Sequence, residues 1–328
     1  MDSTIVQKIK AEIEQASEIL VTTHIGPDGD ALGSLTAVGQ MLHAMGKQFD
    51  MICDDGILRK FEYLPLAKDV RRRVDRKKIY DLLIAVDCGD EQRMGYVYSR
   101  LTCEPLVINI DHHISNNDFG HVNLVVADTT STAEILANLI PMMGVPLDKG
   151  IATSLLTGMV TDTLGFRVTG VTAKTLKIAG ELIAAGADMA EIMLKALVLQ
   201  ELNTIKMWSK GLNKMEVEDG VAWAAISLKD QQAISDEPVS NHGLGNMISD
   251  IHGVAMSAVF TEKDDGEIRI GFRSRPPWDV ATLATKLGGG GHRFASGCSQ
   301  HGPLEDVVQN VVTLAKETIA QQKLDLKN

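Results

Sequence analysis

Three short apolar runs early in the chain each end on an imidazole or a carboxylate: Ile19–His24, Leu82–Asp87 and Leu106–Asp111. They are nearly all Ile, Val, Leu and Ala, without polar alternation, so they read as strands buried on both faces. Helical periodicity precedes the first run at Ile5–Ala16 and follows it at Ala31–Met45, and another β-rich run lies at Phe49–Cys53. Strands alternating with helices predict the α/β class, a parallel sheet with helices on both faces. The C-terminal ends of parallel strands share one edge of the sheet, and ligands bind at that edge. Further helices are expected at about Thr132–Met143, Lys149–Val160 and Ala173–Ala185.

The chain has 328 residues and is 45% hydrophobic, enough for two cores of unequal size. We expect a first domain over residues 1–188. Residues 189–214 lack Gly and Pro until Gly211, which predicts one connecting helix. Residues 215–328 then form a smaller α+β domain, with strand-like runs at Val221–Ser227, Ala255–Thr261 and Glu267–Arg273, a glycine cluster, and a helix from Leu304 to about Gln321.

Composition narrows the function. Cys53, Cys88, Cys103 and Cys298 show no CxxC spacing, which argues against a zinc ribbon or a disulfide framework and for a reducing cytoplasm. No apolar run reaches the roughly 18 residues of a bilayer span, so neither an anchor nor a membrane partner is expected. A formal net charge of −11 argues against wrapping long duplex nucleic acid, which relies on a basic surface. A small anionic substrate is compatible, because bound metal ions supply local positive charge.

The chemistry-bearing residues gather where strands end. THIGPDGDALGS brings His24, Asp28 and Asp30 through a turn into a helix; VDCGD carries Asp87, DHH carries Asp111, His112 and His113, and TDTLGF carries Asp162. Asp28, Asp30, Asp87 and Asp162 around one crevice repel one another unless cations neutralise them. Two divalent ions would do so, with Asp87 as the bridging carboxylate. Imidazole and carboxylate donors without thiolate suit Mn²⁺, or alternatively Mg²⁺ or Co²⁺, better than a structural zinc. Taken singly, Asp28 or Asp30 could instead cap the helix near Ala31. Gly288–Gly291 offer backbone N–H groups to a phosphate or simply make a flexible turn, and Arg273 is a phosphate ligand or a surface strand residue. The basic stretch Lys68–Lys78 reads as a solvated face more readily than as an RNA contact.

HIGPDGDALGS, VDCGD, DHH and TDTLGF resemble, in order, the four motifs of the DHH phosphoesterase family. FRS with GGGGHRFASG is similar to that family's associated substrate-binding domain, so the likeness spans nearly the whole chain. Within the family it looks most like the stand-alone nanoRNases, which hydrolyse very short oligoribonucleotides and often 3′-phosphoadenosine 5′-phosphate. The resemblance implies that His24, Asp28 and Asp87 hold one metal and that Asp30, Asp87, His112 and Asp162 hold the other. It gives His113, with Asp87, a catalytic role at the scissile phosphate, and Asp111 the task of orienting ligands from behind. Arg273, Ser274 and His292, with the backbone of Gly289, Gly290 and Gly291, would grip a terminal phosphate or nucleotide. Two departures stand out: Ala295-Ser296-Gly297 replaces two alanines and a glycine, and Arg275-Pro276-Pro277-Trp278 follows the FRS motif. Competing expectations are a pyrophosphatase or exopolyphosphatase, a cyclic-dinucleotide phosphodiesterase, and a nucleotide-binding regulator without catalysis. A homodimer is compatible with all of them.

Overall fold

The structure, a computed structural model, describes residues 2–237 and 239–326, apart from the side chain of His292. Its contacts divide it between Leu199 and Gln200 into two compact units.

The N-terminal unit runs α1 (Ser3–Gln15), β1 (Glu18–Thr22), α2 (Gly29–Ala44), β2 (Gln48–Ile52), β3 (Val70–Arg71), β4 (Leu82–Val86), α3 (Tyr96–Ser99), β5 (Leu106–Asp111), β6 (Val122–Val125), α4 (Thr132–Met142), α5 (Lys149–Asp162), α6 (Ala173–Ala184) and α7 (Met189–Met193). Its six strands are all parallel, in the order β3-β2-β1-β4-β5-β6. The order reverses between β1 and β4, which opens a crevice at the carboxyl ends of those strands. Every residue of β4 is buried, because both faces of the sheet are covered. Burial of each such aliphatic side chain is worth about 2 kcal/mol, which holds the strand ends in place. Helices α2, α4 and α5 pack unusually close beside this edge. A Cβ on Gly33 would overlap the Ser154 carbonyl, and one on Gly158 would overlap Ala133 and the Asp30 carboxylate.

The C-terminal unit comprises α8 (Leu202–Asn213), β7 (Glu216–Glu218), β8 (Val221–Ile226), α9 (Leu228–Gln232), α10 (Leu244–Ser249), β9 (Met256–Glu262), β10 (Glu267–Ser274), α11 (Ala281–Lys286), β11 (Gly290–His292), β12 (Ala295–His301) and α12 (Leu304–Asp325). The sheet order is β11-β12-β10-β9-β8-β7, with β8 and β9 parallel and the other pairs antiparallel. Ile268, Ile270 and Phe272 share a core with Leu283 and Val311, while Ala224 and Val259 share another with Met207 and Leu244 on α8 and α10.

The single helix expected over residues 189–214 is not formed. Helix α7 widens into a π-helical turn at Leu194–Val198, Leu199 is extended at ψ 130°, and α8 begins afresh after Glu201. Ile192 and Ala196 belong to the core of the first unit and Met207 to a core of the second, so packing interrupts a sequence without a breaker residue. No helix among the described residues is long and apolar enough to cross a membrane.

Candidate active site

The loop after β1 makes the first half of the site. The Nδ1–H of His24 donates to the Ile25 carbonyl at 2.9 Å, which leaves Nε2 facing Asp87, 3.4 Å from its Oδ2. Asp28 does cap α2, accepting the N–H groups of Asp30 and Ala31 at 2.9 and 3.0 Å, yet it also stands in one group with His24 and Asp87. Asp30 is fully buried. Its two oxygens accept the Thr132 and Ala133 N–H groups, at 2.7 and 2.9 Å, so the N-terminus of α4 aligns the carboxylate.

Asp87 follows β4 with a φ of 58°, a left-handed conformation sparsely used by residues other than Gly and Asn. The neighbouring strand fixes that turn through the Asp87 N–H, which donates to the Ile110 carbonyl at 2.9 Å. The strain is characteristic of residues whose placement is over-determined at a functional site. Thr132 Oγ1 donates to Asp87 Oδ1 at 2.9 Å.

His112 and His113 leave the end of β5 side by side. Nε2 of His112 lies 3.2 Å from Asp162 Oδ2 and 3.7 Å from Asp87 Oδ1. His113 turns its Nδ1 to Asp111 Oδ1 at 2.7 Å, and Asn116 donates to the other oxygen of Asp111 at 2.6 Å. Asp162 ends α5, and the chain then turns sharply through Leu164, Gly165 and Phe166, all at positive φ.

These groups contest one cavity. Burial, reinforced by the charges of Asp87 and Asp28, pushes the Asp30 carboxyl well above its usual range, although Ala133 and Thr132 donate to it. Asp162 is pushed up as well, by burial and then by Asp30, Asp28, Asp87 and Asp111. For Asp87 burial acts upward but is outweighed by the hydrogen bond and charge of His24, with His112 and His113, so its carboxyl stays ionised. Burial alone would lower His24, but the bond and charge of Asp87 lift it to about 9. Asp111, against the pull of burial, is lowered by His113 and Asn116; burial acts to lower His113, but Asp111 and Asp87 outweigh it and raise it. A cation bound among these carboxylates would relieve their mutual repulsion.

The donors fit a metal. His24–Asp28–Asp87, Asp30–His112–Asp162 and Asp87–His112–His113 each bring ligand atoms within 4.8 Å of one another. Asp87 and His112 each belong to two of these groups, and all donors are nitrogen or oxygen, as divalent ions of the Mn²⁺ and Mg²⁺ type prefer.

In the C-terminal unit, Arg273 lies in a groove of about 660 Å³ that Asn241, Thr261, Lys263 and Gly271 also line. Its Nε donates to Asn246 Oδ1 and its Nη1 to the Phe272 carbonyl, both at 2.8 Å. Among the described residues no carboxylate pairs with it, and burial lowers its pKa. Ser274, next along β10, points to the other face, where its hydroxyl donates to the carbonyls of Trp278 and Arg293. Strand alternation therefore separates the two side chains.

The glycine run is ordered rather than a loose turn. The N–H groups of Gly288 and Gly289 close the end of α11 on the Thr285 and Ala284 carbonyls, at 3.0 and 2.8 Å. Gly290 and Gly291 pair with Gly297 and Ser296 on β12. Cβ atoms on Gly289 or Gly291 would overlap that strand, so close strand approach requires these glycines. His292 pairs with Ala295 through its backbone, and its side chain lies outside the described residues. Trp278 packs against the unit's core, and Arg275 pairs with Asp250.

Residues 18–159 match the DHH family N-terminal domain, and residues 232–321 match the DHHA1 domain. The chain belongs to the DHH family. A DHH relative from Thermus thermophilus, named bifunctional oligoribonuclease and PAP phosphatase NrnA, is 29% identical over 317 residues, covering 96% of this chain and 94% of its own. An exopolyphosphatase-related protein from Bacteroides fragilis superposes with a TM-score of 0.88 at 24% identity, covering 100% of this chain and 98% of its own. RecJ from Thermus thermophilus in complex with Mn²⁺ superposes at 0.52 and 15% identity, covering 97% of this chain and 54% of its own. The two superpositions establish a shared fold.

Three residues of this DHH site escape motif reading: Thr132, which holds Asp87; Asn116, which holds Asp111; and Arg93, whose guanidinium reaches the His24 ring. Asn116 stands close behind the DHH motif, a usable signal. Nothing local marks Thr132, whose partner is 45 residues away.

Proposed function

We propose that this DHH protein is a nanoRNase-like hydrolase that cleaves phosphodiester bonds in very short oligoribonucleotides and the 3′-phosphate of 3′-phosphoadenosine 5′-phosphate. The observation that carries the reading is the sharing of Asp87 between two groups of nitrogen and oxygen donors, beside two aspartates whose carboxyls burial and mutual repulsion push upward. Two divalent ions, Mn²⁺ first among Mn²⁺, Mg²⁺ and Co²⁺, would when bound make water more acidic and offset charge on the phosphoryl group. His24, Asp28 and Asp87 would hold one ion; Asp30, Asp87, His112 and Asp162 would hold the other.

The protein's own groups do the rest. Asp111 and Asn116 fix the ring of His113, which donates to a non-bridging phosphoryl oxygen as charge develops there. Thr132 and the N-terminus of α4 keep Asp87 and Asp30 in place. Residues 1–188 carry the chemistry, and residues 215–328 bind substrate, with Arg273 making charge-assisted bonds to a terminal phosphate. The names of the relatives support the same substrate class. Free cysteines throughout the described residues support a cytoplasmic setting.

The test is a substrate panel on metal-stripped protein with Mn²⁺ restored: a linear diribonucleotide, 3′-phosphoadenosine 5′-phosphate, pyrophosphate and cyclic dinucleotides. Turnover of the first two is expected. Hydrolysis of pyrophosphate alone would remove the nanoRNase reading, and metal binding without any turnover would favour a regulator.

A further inference from the structure

Arg93 follows Asp87 in the segment VDCGDEQRMG, and its backbone is fastened to the site from both sides. Asp90 accepts the Arg93 N–H at 3.0 Å, and the Arg93 carbonyl accepts the N–H of Ile25 at 2.8 Å. Gly95 at φ 65° lets the chain pass where any Cβ would overlap Ile25 and Asp54. Asp54 then accepts the Tyr96 N–H, and Asp55 accepts that of Gly26, each at 2.6 Å.

The guanidinium, by contrast, lacks a good partner. Its Nη2 lies 3.2 Å from Nδ1 of His24, but a carbonyl oxygen can only accept, so the shorter 2.9 Å contact to Ile25 puts the hydrogen on Nδ1 and leaves no lone pair for the guanidinium. With Nδ1 engaged there, Nε2 is the ring nitrogen that faces Asp87. Among the described residues no carboxylate pairs with Arg93, and the residue is exposed. A permanent cation with planar donors therefore stands one imidazole away from Asp87, on a rigid support and without an anion of its own.

We infer that Arg93 positions substrate by donating to a non-bridging oxygen of the phosphoryl group under attack, and that it weights the enzyme toward phosphomonoesters. A monoester carries close to one more negative charge than a diester at neutral pH, so it gains more from a fixed guanidinium. The inference rests on the phosphoesterase function proposed above.

Arg93→Gln and Arg93→Lys, assayed against wild type on 3′-phosphoadenosine 5′-phosphate and a linear diribonucleotide, test it, with Mn²⁺ affinity and Tm measured alongside. Arg93→Gln should lower kcat/KM roughly 100-fold on the monoester and roughly 10-fold on the diester, with Mn²⁺ affinity within about twofold of wild type. Arg93→Lys should recover part of the monoester loss. Equal losses on both substrates, unchanged activity, or a fall in Mn²⁺ affinity that accounts for the loss would overturn the assignment; the last would make Arg93 a support for His24. A wild type that cleaves the diester but not the monoester contradicts the inference and leaves the phosphoesterase reading standing. One that cleaves neither ends both.

Discussion

In the N-terminal unit Asp30, Asp87 and Asp111 are buried together at the carboxyl edge of the parallel sheet, whereas in the C-terminal unit Arg273 is a half-buried cation on an antiparallel strand. The aspartates crowd one another, and burial and mutual repulsion push the Asp30 and Asp162 carboxyls well above the usual range. Arg273 rests on neutral acceptors, an amide oxygen and a carbonyl, which hold it in place without neutralising it. On the proposed function, one unit takes up cations and the other an anion. Removing charge from the first should therefore strike the chemical step, and removing it from the second should strike binding.

Asp87→Ala should show the largest effect, a fall in kcat of at least about 10³-fold in steady-state assays at saturating Mn²⁺, because it deletes a ligand shared between groups. Thr132→Val removes only the hydroxyl that orients Asp87 and should cost roughly 10- to 100-fold in Mn²⁺ affinity or kcat, read by titration and turnover. Arg273→Gln should raise KM about 10-fold while kcat stays within about threefold. A kcat loss for Arg273→Gln as large as that for Asp87→Ala would erase the contrast between the units.

Asp50 gives the smallest effect and an internal control. It is a carboxylate of the same parallel sheet, but Tyr80 donates to it at 2.6 Å, and Arg71 and Lys78 pair with it. Burial acts to raise its pKa, yet those partners win and hold it below its ordinary 3.8. A depressed folded pKa means stability that is present above the unfolded value and lost as pH falls through the folded one. In urea unfolding, wild type should exceed Asp50→Asn by a constant margin from neutral pH down to about 4, and the margin should close below that. A margin independent of pH down to 2 would show that Asp50 draws nothing from its cations.

This arrangement also shows what the sequence made legible. The strands leading to His24, Asp87 and Asp111 stood out because they are mostly apolar, a consequence of burial on both faces. Parallel topology puts their ends on one edge, so the pattern alone brings His24, Asp87, Asp111 and His112 together. Of the basic stretch at 68–78, Arg71 and Lys78 serve Asp50 and Arg72 binds the Asp55 carbonyl, pairings that no periodicity could reveal. β3 is two residues long and leaves no pattern to read. The break after Leu199 carries no Gly or Pro, because packing on separate cores makes it. The roles of Ser274 and of the glycines turned on strand alternation and on pairing with β12, which motif spacing does not encode. Thr132 and Arg93 meet the site through tertiary contact alone.

The metal count decides the central question most directly. Titration of chelator-treated protein with Mn²⁺, followed by calorimetry and by electron paramagnetic resonance, should give two ions per chain whose spectra show magnetic coupling, with the coupling lost in Asp87→Ala. A single ion, or two that remain magnetically independent in the wild type, would contradict a centre in which Asp87 joins both.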